Sequence, residues 1–143
     1  MKKNISAICM TLILCLLVGV PASAEEKTIS EERQLPRLVD EADILTASEE
    51  EALLDQLDEV SERQECDVAV VTVDSLEGKD ATAYADDFYD YNGYGMGTGD
   101  DGILFLVSME EREWAITTYG FGITAFTDAG LSYICLLYTS DAA

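Results

Sequence analysis

Two short apolar runs constrain this chain most. Asp67 to Val73 reads Asp-Val-Ala-Val-Val-Thr-Val, and Gly102 to Ser108 reads Gly-Ile-Leu-Phe-Leu-Val-Ser. Both are strand-length and apolar at successive rather than alternate positions. A strand of that kind needs cover on both faces, which directs the chain to a layered α/β architecture. The stretch between them supplies one covering element: Ala81, Tyr84, Ala85 and Phe88 recur at helical spacing, and Asn92-Gly93 is a helix stop. A longer helix is expected before the first run, over Ala47 to Gln64, with Leu53, Leu54, Leu57 and Val60 on one face. Thr46 with Glu49, or Ser48 with Glu51, would form its capping box, and Glu49, Glu50 and Glu51 suit its positive end. Leu38-Val39-Asp40 leads in as a short extended segment. After the second run, Glu110-Glu111-Arg112 is too short for a parallel return, so Glu113 to Tyr119 must close an antiparallel hairpin spanning Gly102–Tyr119. Gly120-Phe121-Gly122 then breaks the strand, and Thr127 or Asp128 is placed to cap a helix from Ala129. The expected fold is an α/β protein: an αβα sandwich with a mixed sheet containing one β-hairpin.

The ends of the chain read differently. Lys2 and Lys3 precede an apolar stretch from Ile5 to Val20, and Pro21-Ala22-Ser23-Ala24 ends in the small-x-small pattern of a signal-peptidase site. The stretch falls short of the roughly 20 apolar residues of a membrane span. Residues 1–24 are therefore expected to be a cleaved secretory signal, which places the mature chain outside the cytoplasm, secreted or in the cell envelope. Residues 25–37 are polar and read as a disordered leader, and residues 38–131 as the domain. Cys135 to Ala143 shows no amphipathic face, and Leu137 to Ala143 resembles the translated adapter seen at the ends of fragmentary sequences. The expectation is that residues 132–143 are non-native or truncated tail, with domain helices and a possible membrane anchor missing beyond it.

Charge and composition narrow the chemistry. Eight Lys and Arg stand against 29 Asp and Glu, a formal charge of −21 that becomes −23 once Lys2 and Lys3 leave. Nucleic acid and anionic membrane surfaces would be repelled, whereas divalent cations or a basic partner would not. There is no histidine, so His-based triads, His-ligated zinc and imidazole acid/base catalysis are excluded. Cys9 and Cys15 would leave with the signal. Cys66, at a strand entrance, reads as a small buried hydrophobe, and its pairing with Cys135 is left open.

The Gly93–Gly102 loop (Gly-Tyr-Gly-Met-Gly-Thr-Gly-Asp-Asp-Gly) sits where a flexible backbone meets a rigid strand, a usual place for ligand contacts. If the first two long strands are parallel, Asp74 lies at the opposite edge from this loop, while the antiparallel third strand brings Asp128 back to it. Asp100, Asp101 and Asp128, with Asp67 at the start of its strand, then form the candidate metal site. Calcium suits such a site, because it takes six to eight oxygen ligands and the loop offers carbonyls beside carboxylates. Asp100-Asp101-Gly102 also reads as a plain turn and Asp128 as a helix cap. Tyr84 and Phe88 belong to a core face, while Tyr91 and Tyr94 are placed either to cover the core or to form a recognition surface.

The order of these features resembles a known family. Val39-Asp40 with Leu45-Thr46, the Asp67–Val73 run, Ala85 with Phe88, Asp100-Asp101-Gly102 before Ile103–Val107, Glu111-Arg112 with Ile116, Gly120-Phe121-Gly122 and Thr127-Asp128 together resemble the TPM domain. That family is named for thylakoid-lumen, photosystem-repair and receptor-modulator members, and the likeness runs from about Leu38 to Leu131. It implies an αβα sandwich, secreted or on the outer side of a membrane, often with a transmembrane segment after the domain. It also implies divalent-metal binding, an accessory or scaffold role for envelope or membrane-protein complexes, or acid phosphatase activity. Two departures stand out. Tyr91 or Tyr94 takes the place of a Trp before the loop, and Gly120-Phe121-Gly122-Ile123-Thr124 lacks the acidic residue usual at its end. The phosphatase alternative is short of groups, because Arg112 is the only basic residue after Asp80 and lies in a hairpin turn. A ligand-free interaction domain is the third reading.

Overall fold

The computed structural model describes residues 29–125, and its elements alternate as the two apolar runs require. They are β1 (Leu38–Asp40), α1 (Ala47–Gln64), β2 (Asp67–Val73), α2 (Ala81–Tyr91), β3 (Gly102–Ser108), β4 (Glu113–Tyr119) and a short α3 (Phe121–Ala125). A single 3₁₀ turn, Gly97–Gly99, interrupts the loop before β3. The four strands lie in the order β1-β2-β3-β4. β1, β2 and β3 are parallel, and β4 returns antiparallel to β3 with Gly102 opposite Tyr119 and Ser108 opposite Glu113.

Register decides the two faces. One face carries Ala69, Val71 and Val73 of β2, Leu104 and Leu106 of β3 and Ala115 of β4. α2 closes it with Ala81, Ala85, Phe88 and Tyr89, forming the main core. Val71, Leu104 and Leu106 are wholly buried there, each contributing about 1.5–3 kcal/mol by leaving water. The other face carries Leu38, Val70, Phe105 and Ile116 in one row and Asp40, Thr72, Val107 and Trp114 in the next. α1 covers its β1–β2 half, and Phe105 and Trp114 stay exposed on the β3–β4 half with ring centroids 6.4 Å apart. The αβα sandwich and the hairpin expected from the sequence are both present.

Helix ends follow the local chemistry. The Glu49 carboxylate accepts the Thr46 backbone N–H at 2.9 Å and the Thr46 hydroxyl at 2.7 Å, tying down the start of α1. Asp80 caps α2 by accepting the N–H groups of Thr82 and Ala83. α3 begins where the sequence suggested only a break. Gly120 turns with positive φ, and the Asp101 carboxylate accepts the Phe121 N–H at 2.5 Å, so the chain coils at once. The helix expected from Ala129, the signal segment, the tail and Cys135 lie outside the described residues. Cys66 is buried, and burial raises its thiol pKa, with the charges of Asp101 and Asp67 adding to the effect.

Residues 29–37 of the expected leader lie against the domain. The Gln34 N–H donates to the Asn92 carbonyl at 2.9 Å, the Tyr94 hydroxyl donates to the Pro36 carbonyl at 2.6 Å, and Leu35 packs on the core. Gly93 is required here: its φ is +64°, and a Cβ would run into the Glu32 carbonyl.

Gly102 yields a direct test. A Cβ there would collide with the Tyr89 hydroxyl and stand 2.9 Å from the Asp67 carbonyl. Gly102→Ala is expected to lower the urea unfolding free energy by about 1–3 kcal/mol through overpacking. Combined with Tyr89→Phe, which removes the colliding oxygen, it should cost less than the sum of the two single changes. Strict additivity would mean that the hydroxyl is not what excludes the side chain.

Candidate functional site

The sheet brings carboxylates together at two opposite edges. At one edge, Asp67 begins β2 in register with Gly102, and Asp101 lies just before β3. The Asp67 N–H donates to the Asp101 carbonyl at 2.9 Å, and Met96 and Asp101 exchange backbone hydrogen bonds of 3.1 and 2.9 Å that close the loop on itself. The parallel β2–β3 pairing puts Asp74 at the far edge, beside the end of β3, as the strand-direction argument required. Three of the four residues proposed from the sequence, Asp67, Asp100 and Asp101, therefore share an edge. Asp128 lies outside the described residues.

Their carboxylates nevertheless have separate tasks. Asp67 is 2 % exposed, and its Oδ1 accepts from Arg37 Nε at 2.5 Å and Arg33 Nη1 at 3.3 Å, while Oδ2 accepts the Gly95 N–H at 3.0 Å. Arg37 also reaches Asp58 on α1 at 2.5 Å. Burial works against the Arg37 charge, and the hydrogen bonds and charges of Asp58 and Asp67 outweigh it, raising its pKa. Asp101 holds the start of α3. Asp100 is exposed in the left-handed region at φ +49°, and its carbonyl accepts the Tyr89 hydroxyl at 2.9 Å. The Tyr89 ring stacks on Tyr119 at 4.2 Å, and burial raises the Tyr119 phenol to about 12, with Asp86 and Asp90 adding to the effect. Tyr94 is 4 % exposed and belongs to the core, which removes it as a recognition surface.

The other edge holds the carboxylates that converge. Among the described residues, Asp40, Asp43 and Glu50 form the group whose ligand oxygens all lie within 4.8 Å of one another. Asp40 ends β1, Asp43 follows with φ +50°, and Glu50 sits in the first turn of α1. Burial alone would raise the Asp40 carboxyl. The Thr72 hydroxyl and the N–H groups of Leu45 and Ile44 prevail and hold it below the ordinary carboxylate range. The Leu45 N–H donates to Oδ2 at 2.8 Å, and Thr72 donates to Oδ1. Three donors leave one of the carboxylate's roughly four acceptor sites open, so Asp40 is fixed in orientation, charged at neutral pH and still able to ligate. The C-terminal ends of parallel strands are also where open α/β sheets place their sites. Sequence reasoning missed this group because Asp40 passed as part of a short extended segment and Glu50 as a dipole partner of the helix. The available signal was a strand-ending Asp three residues from a second Asp and ten from an acidic helix start.

Comparison with known proteins agrees with this architecture. The family model of the TPM domain matches residues 38–136, and the chain belongs to that family. Among solved structures it is similar to the N-terminal domain of a protein from P. gingivalis, with 24 % identity, a TM-score of 0.59, and 69 % of this chain and 63 % of that one covered. It is also similar to the N-terminal domain of the cg2496 protein from Corynebacterium glutamicum, with 21 % identity, a TM-score of 0.51, and 72 % and 66 % covered. The chain thus spans somewhat less than two thirds of the length of these domains, and the likeness is one of fold. No curated protein matches.

The Asp67 network carries its own prediction. Asp67→Ala would strand a buried guanidinium, with Asp58 as its remaining ion-pair partner, and is expected to cost on the order of 3 kcal/mol of unfolding free energy in urea. Asp100→Ala, at an exposed carboxylate, should stay within about 0.5 kcal/mol. Equal, small losses would show that the Arg37–Asp67 pair does not hold the loop.

Proposed function

We propose that this TPM domain is an extracytoplasmic accessory module that binds a divalent cation, with calcium the first candidate. The observation that carries the reading is the convergence of Asp40, Asp43 and Glu50 to within 4.8 Å. Three carboxylates match the preference of hard cations for oxygen donors. The fixed orientation of Asp40 is the outer-sphere support that such sites rely on. Asp40 and Glu50 would supply ligands from the structured rim, and Asp43 from the turn between β1 and α1. A cation there would neutralise charge crowded at the start of α1.

The loop edge stands as the competing location for the same activity, through Asp100 and Asp101 together with Asp128. Asp67, proposed with them from the sequence, is engaged by Arg33, Arg37 and the Gly95 N–H. The extracytoplasmic assignment is supported by the basic Lys2-Lys3 start, the apolar Ile5–Val20 stretch and the Ala22-Ser23-Ala24 site. Among the described residues, no helix is long and apolar enough to cross a membrane. A role beside membrane-protein complexes is part of the proposal, and the family resemblance is what supports it.

Calorimetric titration of the protein with calcium distinguishes the two edges. Saturable heat that is lost in Asp40→Asn and retained in the double variant Asp100→Asn, Asp101→Asn is the expected result. The reverse pattern moves the site to the loop. No heat in the folded wild-type protein, checked by circular dichroism, removes calcium binding altogether.

A further inference from the structure

The outer margin of β1 has backbone, shape and charge arranged for a second polypeptide. β1 is an edge strand, pairing with β2 alone among the described residues. The Arg37 carbonyl accepts the Val70 N–H at 2.8 Å, and the Glu41 N–H donates to the Thr72 carbonyl at 3.0 Å. In a parallel ladder these alternations turn the N–H and C=O of Leu38 and the N–H of Asp40 away from β2. No strand flanks them among the described residues. Such a row of outward groups is a template for strand addition.

A groove of about 430 Å³ runs beside this margin, between β1 and the N-terminal half of α1. That volume falls in the roughly 300–1,000 Å³ range of ligand pockets. Pro36, Leu38 and Leu54 give it apolar walls, and Asp40, Glu50 and Glu51 give it negative ones. Arg37 is turned away into its pairs with Asp58 and Asp67, so no guanidinium neutralises the groove from that side.

From the free strand margin, the apolar walls and the carboxylates together, we propose that this groove docks an extended segment of a partner polypeptide that carries Lys or Arg beside apolar residues. The segment adds a strand to β1. A basic side chain meets Glu50 and Glu51, and the side chain two positions along, about 7 Å away on the same face, rests on Leu38 and Leu54. Charge complementarity selects this occupant over an acidic segment. It also disfavours a second copy, because the whole chain holds eight Lys and Arg against 29 acids, and that field draws basic partners in and repels its own kind. The proposal goes beyond cation binding but shares Asp40 and Glu50 with it, so Glu51, which is outside the cation group, separates the two.

The test uses the protein in chelator and a dye-labelled pentapeptide Thr-Lys-Thr-Val-Thr, whose Lys and Val lie two positions apart on one strand face, read by fluorescence anisotropy. Saturable binding is expected. Replacing Lys by Glu should weaken it by about tenfold or more, and N-methylation on alternate residues, which removes the strand hydrogen bonds, should do the same. Leu54→Glu and Glu51→Gln should each reduce binding of the Lys peptide, and Glu51→Gln should keep any calcium heat of the wild-type protein. Folding of both variants is checked by circular dichroism. Equal affinity for the Lys and Glu peptides, or wild-type affinity in folded Leu54→Glu, overturns the proposal. So does self-association in the ultracentrifuge that Leu54→Glu abolishes, since the groove would then be filled by a second copy.

Discussion

The buried pair between Arg37 and Asp67 is the contact through which the separate parts of this domain are joined. Asp67 starts β2 and receives the Gly95 N–H from the glycine loop. Arg37 comes from the segment before β1 and holds Asp58 of α1 with its other end. One carboxylate and one guanidinium thus tie the N-terminal segment, a helix, a central strand and the loop. Pairs of this kind contribute little net stability compared with an apolar replacement, but losing one partner strands a charge out of water. Their value lies in geometry. With both oxygens of Asp67 engaged, the loop backbone at Gly95 has one position, and the glycines around it need not order unaided.

This network separates the chemistry of the two sheet edges. At the loop edge, carboxylates are consumed by structure: Asp67 by two arginines, Asp101 by the start of α3. At the opposite edge, the parallel strands end beside the start of α1, and Asp40, Asp43 and Glu50 form no ion pair with a basic side chain among the described residues. Asp40 is held by Thr72 and two backbone amides, all neutral donors, so its negative charge is stabilised without being cancelled. A site for a cationic ligand needs that combination of a fixed carboxylate and an unneutralised charge.

Much of the fold was legible in the sequence, for physical reasons that differ by element. The α1 limits follow from an apolar stripe bounded by Thr46 and Glu49. The hairpin follows from a link too short for any other connection. The continuous apolar runs demanded two covered faces, and the sheet has α1 on one and α2 on the other. Residues 29–37 read as part of a disordered leader because they are polar, yet they lie against the domain. Their ordering comes from long-range partners, Asp67 for Arg33 and Arg37 and the Tyr94 hydroxyl for Pro36, and local composition carries no trace of them. Tyr94 was ambiguous for a related reason: in a glycine-rich stretch no periodicity shows whether a ring points inward. The candidate site divided along the same line. Strand direction correctly gathered Asp67, Asp100 and Asp101 at one edge, yet the burial that directs Asp67 toward arginine is tertiary. Asp40 and Glu50 are ten residues apart, and only the turn between β1 and α1 makes them neighbours.

The acidic composition then acquires a structural meaning. Net charge far from zero keeps a domain soluble while loading the folded state with self-repulsion. At the start of α1 the load is concentrated, since Glu49, Glu50 and Glu51 stand together beside Asp40 and Asp43. The positive end of the helix offsets part of it, typically by only 0.3–1 kcal/mol per charge. Glu49 is further settled by its bonds to Thr46. Among the described residues Glu50 and Glu51 make no comparable bond, and both line the groove. A ligand that brings positive charge to them relieves repulsion that exists in the folded domain and is diluted in the unfolded chain. By linkage, such a ligand binds the fold in preference to the open chain and stabilises it. A divalent ion and a basic segment would exploit the same imbalance. They differ in what else they need: the ion needs three oxygens in reach, and the segment needs a free strand margin and an apolar wall.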